Sequence, residues 1–306
     1  MTEENNPNLL AWGLLLVLAL IWGSSFILIK RGLDVYSAGE VGAIRIVSAS
    51  LFLSPFAISR LKSLHKRHWL YLFSVGMFGS FLPAFLFAKA QTHLPSSVAG
   101  IINALTPLFT MILGALFFTQ KITAKTAIGL ITGFLGTVAL ILAGSGGDTS
   151  EFNLYGLYVV LATIFYGANL NLIKFKIPDL TARTITSISL MIVGPIAISY
   201  LFLFTGFMQK VQTAEGALFS LGAVVLLGVL GTAVALILFN QLVKITSPIF
   251  TSSVTYLIPV IAVLWGLLDG ERLYAGHYLG LVLITLGVYL ANRNKAAKKP
   301  DDQGES

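Results

Sequence analysis

The chain has 306 residues, 56% of them hydrophobic and only 11% charged. A soluble domain carries about 25% charged residues, so this sequence cannot clothe a water-facing surface, and a water-soluble globular fold is excluded. The formal charge of +7 lies mostly in short segments beside apolar runs, as topology signals do, which argues against nucleic-acid binding. No cysteine is present, so there is no disulfide, thiolate metal site or thiol nucleophile.

Ten apolar runs follow one another, at about Leu9–Ile29, Val41–Ile58, Trp69–Phe87, Ser97–Phe118, Thr126–Ala143, Leu154–Phe175, Ile185–Phe204, Leu218–Leu242, Pro248–Leu268 and His277–Ala291. Runs of about 18 apolar residues can span hydrocarbon, so the expectation is an all-α polytopic membrane protein with ten transmembrane helices. The first run follows Glu3 and Glu4 and has no small-residue cleavage site, so it reads as a retained helix. Residues 1–8 are expected to be a cytoplasmic N-terminus and 292–306 a disordered cytoplasmic tail. Fourteen of the 20 lysines and arginines fall in one alternate set of loops and tails, five fall in the other, and Arg45 lies inside a span. The bias puts both termini in the cytoplasm.

The organising stretch is Val98 to Phe117, which carries Asn103, Thr106 and Pro107 near its middle. Phe250 to Leu268 repeats the design with Thr255, Tyr256 and Pro259; Pro259 and Gly266 each lie 152 residues beyond Pro107 and Gly114. Gly23 and the pair Ile29-Lys30 are answered 144 residues on by Gly167 and Ile173-Lys174. PFAIS at 55–59 is matched by PIAIS at 195–199, and Gln120, Gly129 and Gly136 by Glu271, Gly280 and Gly287. Two units of five helices, 9–143 and 154–291, are therefore expected. An odd span count makes the second enter the membrane in the opposite sense, giving an inverted repeat.

Several features recur together in one family: Trp22-Gly23-Ser24-Ser25-Phe26 late in the first span, Arg45 in the second, and proline in the ninth. Leu267 to Leu273, reading LLDGERL, and a glycine-rich last span complete the set. Over roughly residues 9–291 the chain resembles the EamA family of the drug/metabolite transporter superfamily. It departs at Gln120, where the family often has glutamate. The resemblance implies an inner-membrane carrier of amino acids or related metabolites, often exported.

Polar residues at mid-membrane should face a bundle interior or a cavity. The expected substrate-binding set is Trp22, Ser24 and Ser25, then Asn103 and Thr106, Tyr166 and Asn169, Asn240, and Thr255 and Tyr256. Interhelical hydrogen bonding is the plainer role for each, worth about 0.6 kcal/mol on average. Pro107 and Pro259 are candidate hinges. Arg45 could clamp a carboxylate or phosphate, pair with Glu40, or reach the headgroups. Lys89 reads as a headgroup anchor. All thirteen acids and four histidines lie outside the spans or at their ends, which disfavours proton coupling through a buried carboxylate. No cofactor, metal cluster or enzymatic constellation is indicated. A cavity rich in amides, hydroxyls and aromatics suits a neutral or zwitterionic solute moved by alternating access. Phosphorylated or nucleotide-linked sugars would need more cations, and a receptor or scaffold would lack a soluble domain. Gly129 with Gly133 and Gly276 with Gly280 form small-residue surfaces that could join the halves or form a homodimer.

Overall fold

The computed structural model describes residues 9–61, 64–118, 124–143, 154–245 and 254–292, with no strand among them. In hydrocarbon no water meets an unpaired backbone group, so a helix, which closes its own hydrogen bonds, is the form these runs take. In chain order the helices are α1 (Leu9–Leu33), α2 (Ala38–Arg60), α3 (Lys66–Ala90), α4 (Ser96–Phe118), α5 (Ala124–Ala143) and α6 (Gly156–Lys176). They continue with α7 (Ala182–Leu203), the short α8 (Phe207–Thr213), α9 (217–245), α10 (Val254–Leu268) and α11 (Ala275–Asn292). Seven are long and apolar enough to cross a bilayer, and three shorter apolar segments lie at Ala127–Ala139, Leu257–Leu268 and Ala275–Gly287. The protein is a polytopic helical membrane protein. Of the ten expected spans, seven are helices of crossing length among the described residues, and the fifth, ninth and tenth fall on the shorter apolar segments.

Three helices are locally irregular. In α3 the segment Met77–Phe81, and in α9 the segment Leu227–Val234, widen to π geometry. In α4 the regular helix breaks at Ala104 and Leu105, just ahead of Pro107. Proline has no N–H, so the Asn103 carbonyl loses its partner four residues on. The Thr106 hydroxyl replaces it, donating to that carbonyl at 2.9 Å. Pro259, by contrast, is buried inside α10, which continues through it.

Helix packing pairs α1 with α10 and α4 with α6, α1 with α9 and α3 with α6, and α2 with α9 and α3 with α7. Further pairs are α2 with α7, α5 with α11 and α4 with α10, and α2 also packs on α3. Exchanging the halves maps each of the first three pairs onto its companion, and α2–α7, α5–α11 and α4–α10 onto themselves, as a two-fold relation requires. Individual contacts follow. Gly23 abuts Ile261 of α10, and Gly167, 144 residues on, abuts Phe109 of α4, 152 residues before Ile261. Between α2 and α7 the register is also 144, because Ser50 faces Gly194. PFAIS and PIAIS, 140 residues apart, therefore match one helical turn out of contact register; four residues leave the helix face almost unchanged, which is why the slip passes unnoticed in sequence.

Gly136 of α5 meets the Gly280 carbonyl and Ile284 nitrogen of α11, while Gly287 meets the Gly129 carbonyl and Gly133 nitrogen. The small-residue surfaces thus join two helices within one chain, and Gly129, Gly133 and Gly280 are buried there rather than free for a homodimer. Gly276 is half-buried at the start of α11.

The Glu271 carboxylate, in the α10–α11 loop, caps the start of α4. It accepts from the Ser96 N–H and hydroxyl at 2.9 and 2.8 Å and from those of Ser97 at 3.1 and 2.6 Å. Lys30 at the end of α1 donates to it at 2.9 Å and also pairs with Asp269 at 2.6 Å. Arg31 pairs with Asp269 as well. An anion at a helix N-terminus meets unpaired N–H groups and the positive end of the dipole. Burial alone would raise the Glu271 pKa, but the bonds from Ser97, Lys30 and Ser96 prevail and lower it to about 2. Gln120, its counterpart by sequence, lies outside the described residues.

Two expectations follow for stability. A methyl at position 287 has only backbone in front of it, whereas nothing lies within 4 Å of one at position 222. Gly287→Ala should therefore cost about 1–3 kcal/mol by overpacking, and Gly222→Ala should be neutral or stabilising. Thermal unfolding in detergent checks the pair, and equal melting temperatures would contradict the packing. Because Glu271 has a depressed pKa, its contribution is complete above the ordinary 4.5 and lost as pH falls towards about 2. The melting temperature should drop over that interval, and Glu271→Gln should flatten this part of the profile.

Candidate functional site

Two half-sites arise from the repeat. In one, Ser25 of α1 lies against Gly231 in the π segment of α9; in the other, Asn169 of α6 lies against Gly79 in the π segment of α3. Residues 25 and 169 are 144 apart and residues 79 and 231 are 152 apart, so these are equivalent contacts. A glycine in each π turn lets the neighbouring helix insert a polar side chain against bare backbone.

The first half-site is closed on itself. The Trp22 indole donates to the Gly231 carbonyl at 3.0 Å, and its ring packs on Phe239 at 5.4 Å. The Ser25 hydroxyl donates back to Ile21 of its own helix at 3.1 Å. Ser24 accepts from the Trp265 indole at 2.8 Å and lines a groove of about 550 Å³ between α1, α9 and α10. Of these three residues, expected together around a central site, Trp22 and Ser25 face Gly231 of α9 while Ser24 turns to Trp265 of α10.

The second half-site is not closed. The Arg45 guanidinium lies beside the Tyr166 hydroxyl, and its Nε donates to the Thr232 hydroxyl at 3.1 Å. Tyr166 packs its ring on Phe87, with centroids 6.0 Å apart. Three residues further along the same face of α6, Asn169 has a buried Oδ1 without a hydrogen-bond partner among the described residues. Asn171 faces elsewhere, donating to the Thr110 and Gly167 carbonyls at 2.9 Å. Arg45 of α2 thus joins Tyr166 of α6 to Thr232 of α9 in one polar cluster, and Asn169, one turn from Tyr166 on α6, extends it to Gly79 of α3.

Arg45 is neither paired with Glu40 nor extended to the headgroups. Glu40 is 1% exposed, bonded to Ser37 in the capping box of α2, and paired with Lys210 at 2.6 Å. No carboxylate among the described residues lies within ion-pair distance of Arg45. Arg45 is seven residues beyond the start of α2, roughly 10 Å along the helix. Lys89 is exposed and sits over the Tyr155 ring at 5.9 Å, outside the cluster.

Asn103 and Thr106 bond to each other across the break before Pro107, so their first role is repair of that break. The side chains of Asn240, Thr255 and Tyr256 lie outside the described residues. Thr232 and Gly79 belong to the cluster but were not among the sequence candidates. Their signal is the paired glycine spacing, Gly76 with Gly79 and Gly228 with Gly231, repeated at 152 residues. No group of three or more metal-ligating side chains occurs among the described residues.

The EamA-like transporter family matches this chain twice, at residues 9–142 and 153–293. The chain is 28% identical over 302 residues to the "Uncharacterized inner membrane transporter YedA" of Escherichia coli K12, covering 91% of this chain and 92% of the relative. It is 24% identical over 284 residues to a "Probable amino-acid metabolite efflux pump" of the same organism, covering 90% and 93% of the two chains. A protein of known crystal structure, 15% identical, superimposes with a TM-score of 0.62 over 94% of this chain and 99% of the other, a likeness of fold.

A methyl at position 79 would stand 2.6 Å from the Asn169 amide nitrogen, whereas one at position 231 would meet the Ser25 hydroxyl at 3.0 Å. Gly79→Ala should displace Asn169 and lower the melting temperature more than Gly231→Ala does, by the equivalent of about 1–3 kcal/mol. The reverse order in thermal unfolding would contradict this assignment.

Proposed function

Because the chain belongs to the EamA-like transporter family, we propose that it is a carrier of small metabolites. It exports amino acids or similar zwitterionic solutes by alternating access, with Arg45 at the binding centre. The observation that carries this reading is the guanidinium held between Tyr166 and Thr232 with no carboxylate partner among the described residues. A charge inside a membrane domain costs several kcal/mol in desolvation and points to function by default. The planar fork of arginine matches a carboxylate, and Asn169 Oδ1 offers an unused acceptor for an ammonium group. A multiply charged phosphate would call for more cations, and Lys89 turns away from the cluster.

The carrier sits in a bacterial-type inner membrane with both termini cytoplasmic, as the loop charges indicate. Residues 9–143 and 154–291 are the two units that rock about the site. The π segments and the break at Pro107 give α3, α9 and α4 places to bend.

The test is flux of labelled amino acids into liposomes containing only this protein. Carboxyl-amidated analogues and sugar phosphates serve as competitors. Arg45→Gln should raise the half-saturating concentration at least tenfold, because a hydrogen bond to a charged group is worth about 1.5–3 kcal/mol. Arg45→Lys should restore little, since it lacks the bidentate fork. Competition by the acids but not by their amides supports the reading. Unchanged flux and affinity in a folded Arg45→Gln protein would remove Arg45 from the site.

A further inference from the structure

The groove between α1, α9 and α10 has no part in the polar cluster. Its walls are Leu20, Ile21, Leu28, Leu226, Leu230 and Trp265, and its mouth holds Arg31 and Asp269. From Leu20 to Arg31 it follows α1 for about 16 Å at 1.5 Å per residue. One leaflet of a bilayer has roughly 15 Å of hydrocarbon, so the groove is one acyl chain long.

The two-fold relation supplies a control within the molecule. Ile21 corresponds to Phe165, 144 residues on, and Leu230 to Phe78, 152 residues before it. At that equivalent place the two phenylalanines stack, with centroids 5.3 Å apart and planes 8° from parallel. One copy of the site is occupied by aromatic side chains, and the other, with smaller side chains, is left as a groove of about 550 Å³.

The mouth indicates which headgroup fits. Lys30 and Arg31 face three acids, Asp34, Asp269 and Glu271, so a headgroup of purely negative charge meets an acidic excess. Arg31 is 39% exposed and can donate to a phosphate; Asp34, 52% exposed and beside it, can receive an ammonium group. We propose that this groove is a binding site for one phospholipid with an amine-bearing, zwitterionic headgroup, its acyl chain between α1, α9 and α10 and its phosphate at Arg31.

The experiment adds palmitoyl-oleoyl phosphatidylethanolamine to the delipidated full-length protein in detergent and counts retained lipid by native mass spectrometry. One lipid per chain is expected, with at least tenfold weaker retention in Ile21→Phe/Leu230→Phe, which fills the groove as its counterpart is filled. Equal retention by the folded double variant would overturn the site. Equal retention of phosphatidylglycerol would overturn the headgroup assignment. Should the double variant fail to fold, a phosphatidylethanolamine with a photoreactive acyl chain replaces it on the unmodified protein. Crosslinks should concentrate on residues 20–31, 226–231 and 265–269, and labelling spread equally over α1 and α6 would overturn the proposal.

Discussion

In hydrocarbon no hydrophobic effect presses one helix on another, so helices hold where missing side chains let backbones meet. Gly287 against the Gly129 carbonyl, with Gly136 against the Gly280 carbonyl, is the strongest case, because the contact is made from both sides at once. Gly23 and Gly167 do the same for the pairs α1–α10 and α4–α6. Each such contact has a twin, and the twins fix the two halves in one mutual register. The polar cluster depends on that register, since its members come from three different helices and no loop ties them together.

What the repeat makes equal, single substitutions make different, and the chemistry lies in the differences. The contact of Gly228 with the Arg45 carbonyl corresponds to that of Gly76 with the Ser189 carbonyl. A guanidinium on one side thus answers a hydroxyl on the other. Ser25 corresponds to Asn169: the short side chain can bond back to its own helix, whereas the longer amide is pressed against Gly79 with its oxygen unpartnered. Trp22 corresponds to Tyr166, and only the indole reaches a π-turn carbonyl. One half-site therefore satisfies itself and the other keeps a charge and an acceptor unused. A symmetrical scaffold thus carries an asymmetric polar centre.

Hydropathy made the membrane class plain, because periods of apolar residues need no tertiary information. Repeat spacing was equally legible wherever glycine and proline marked it, as at 107 and 259 or 136 and 287. Direction was not. Trp22, Ser24 and Ser25 are consecutive or nearly so, and on a helix such neighbours point about 100° apart. Nothing local says which of them meets α9 and which meets α10. Arg45 was harder still, since reaching Thr232 depends on a partner 187 residues away. Glu40, five residues before it, is one counter-ion the sequence offers, but Lys210, 170 residues away, pairs with it instead. The π turns left only an indirect trace, the doubled glycine spacing, because widened helix geometry has no residue signature of its own.

Charge placement joins these threads. At the loop end of α1, Lys30 and Arg31 are matched by Asp269 and Glu271, and the carboxylate of Glu271 also closes the start of α4. Those charges lie where water is near and each has a partner, so they fasten α1, α4 and the α10–α11 loop. Arg45 lies deeper and has dipoles for partners instead of a carboxylate. A tyrosine and a threonine hydroxyl orient a guanidinium but do not neutralise it. At Arg31 the chain supplies the carboxylates itself, so any further anion there shares the guanidinium with Asp269 and Asp34. Arg45, roughly 10 Å into α2, has no such carboxylate among the described residues, and its charge is met by hydroxyls alone.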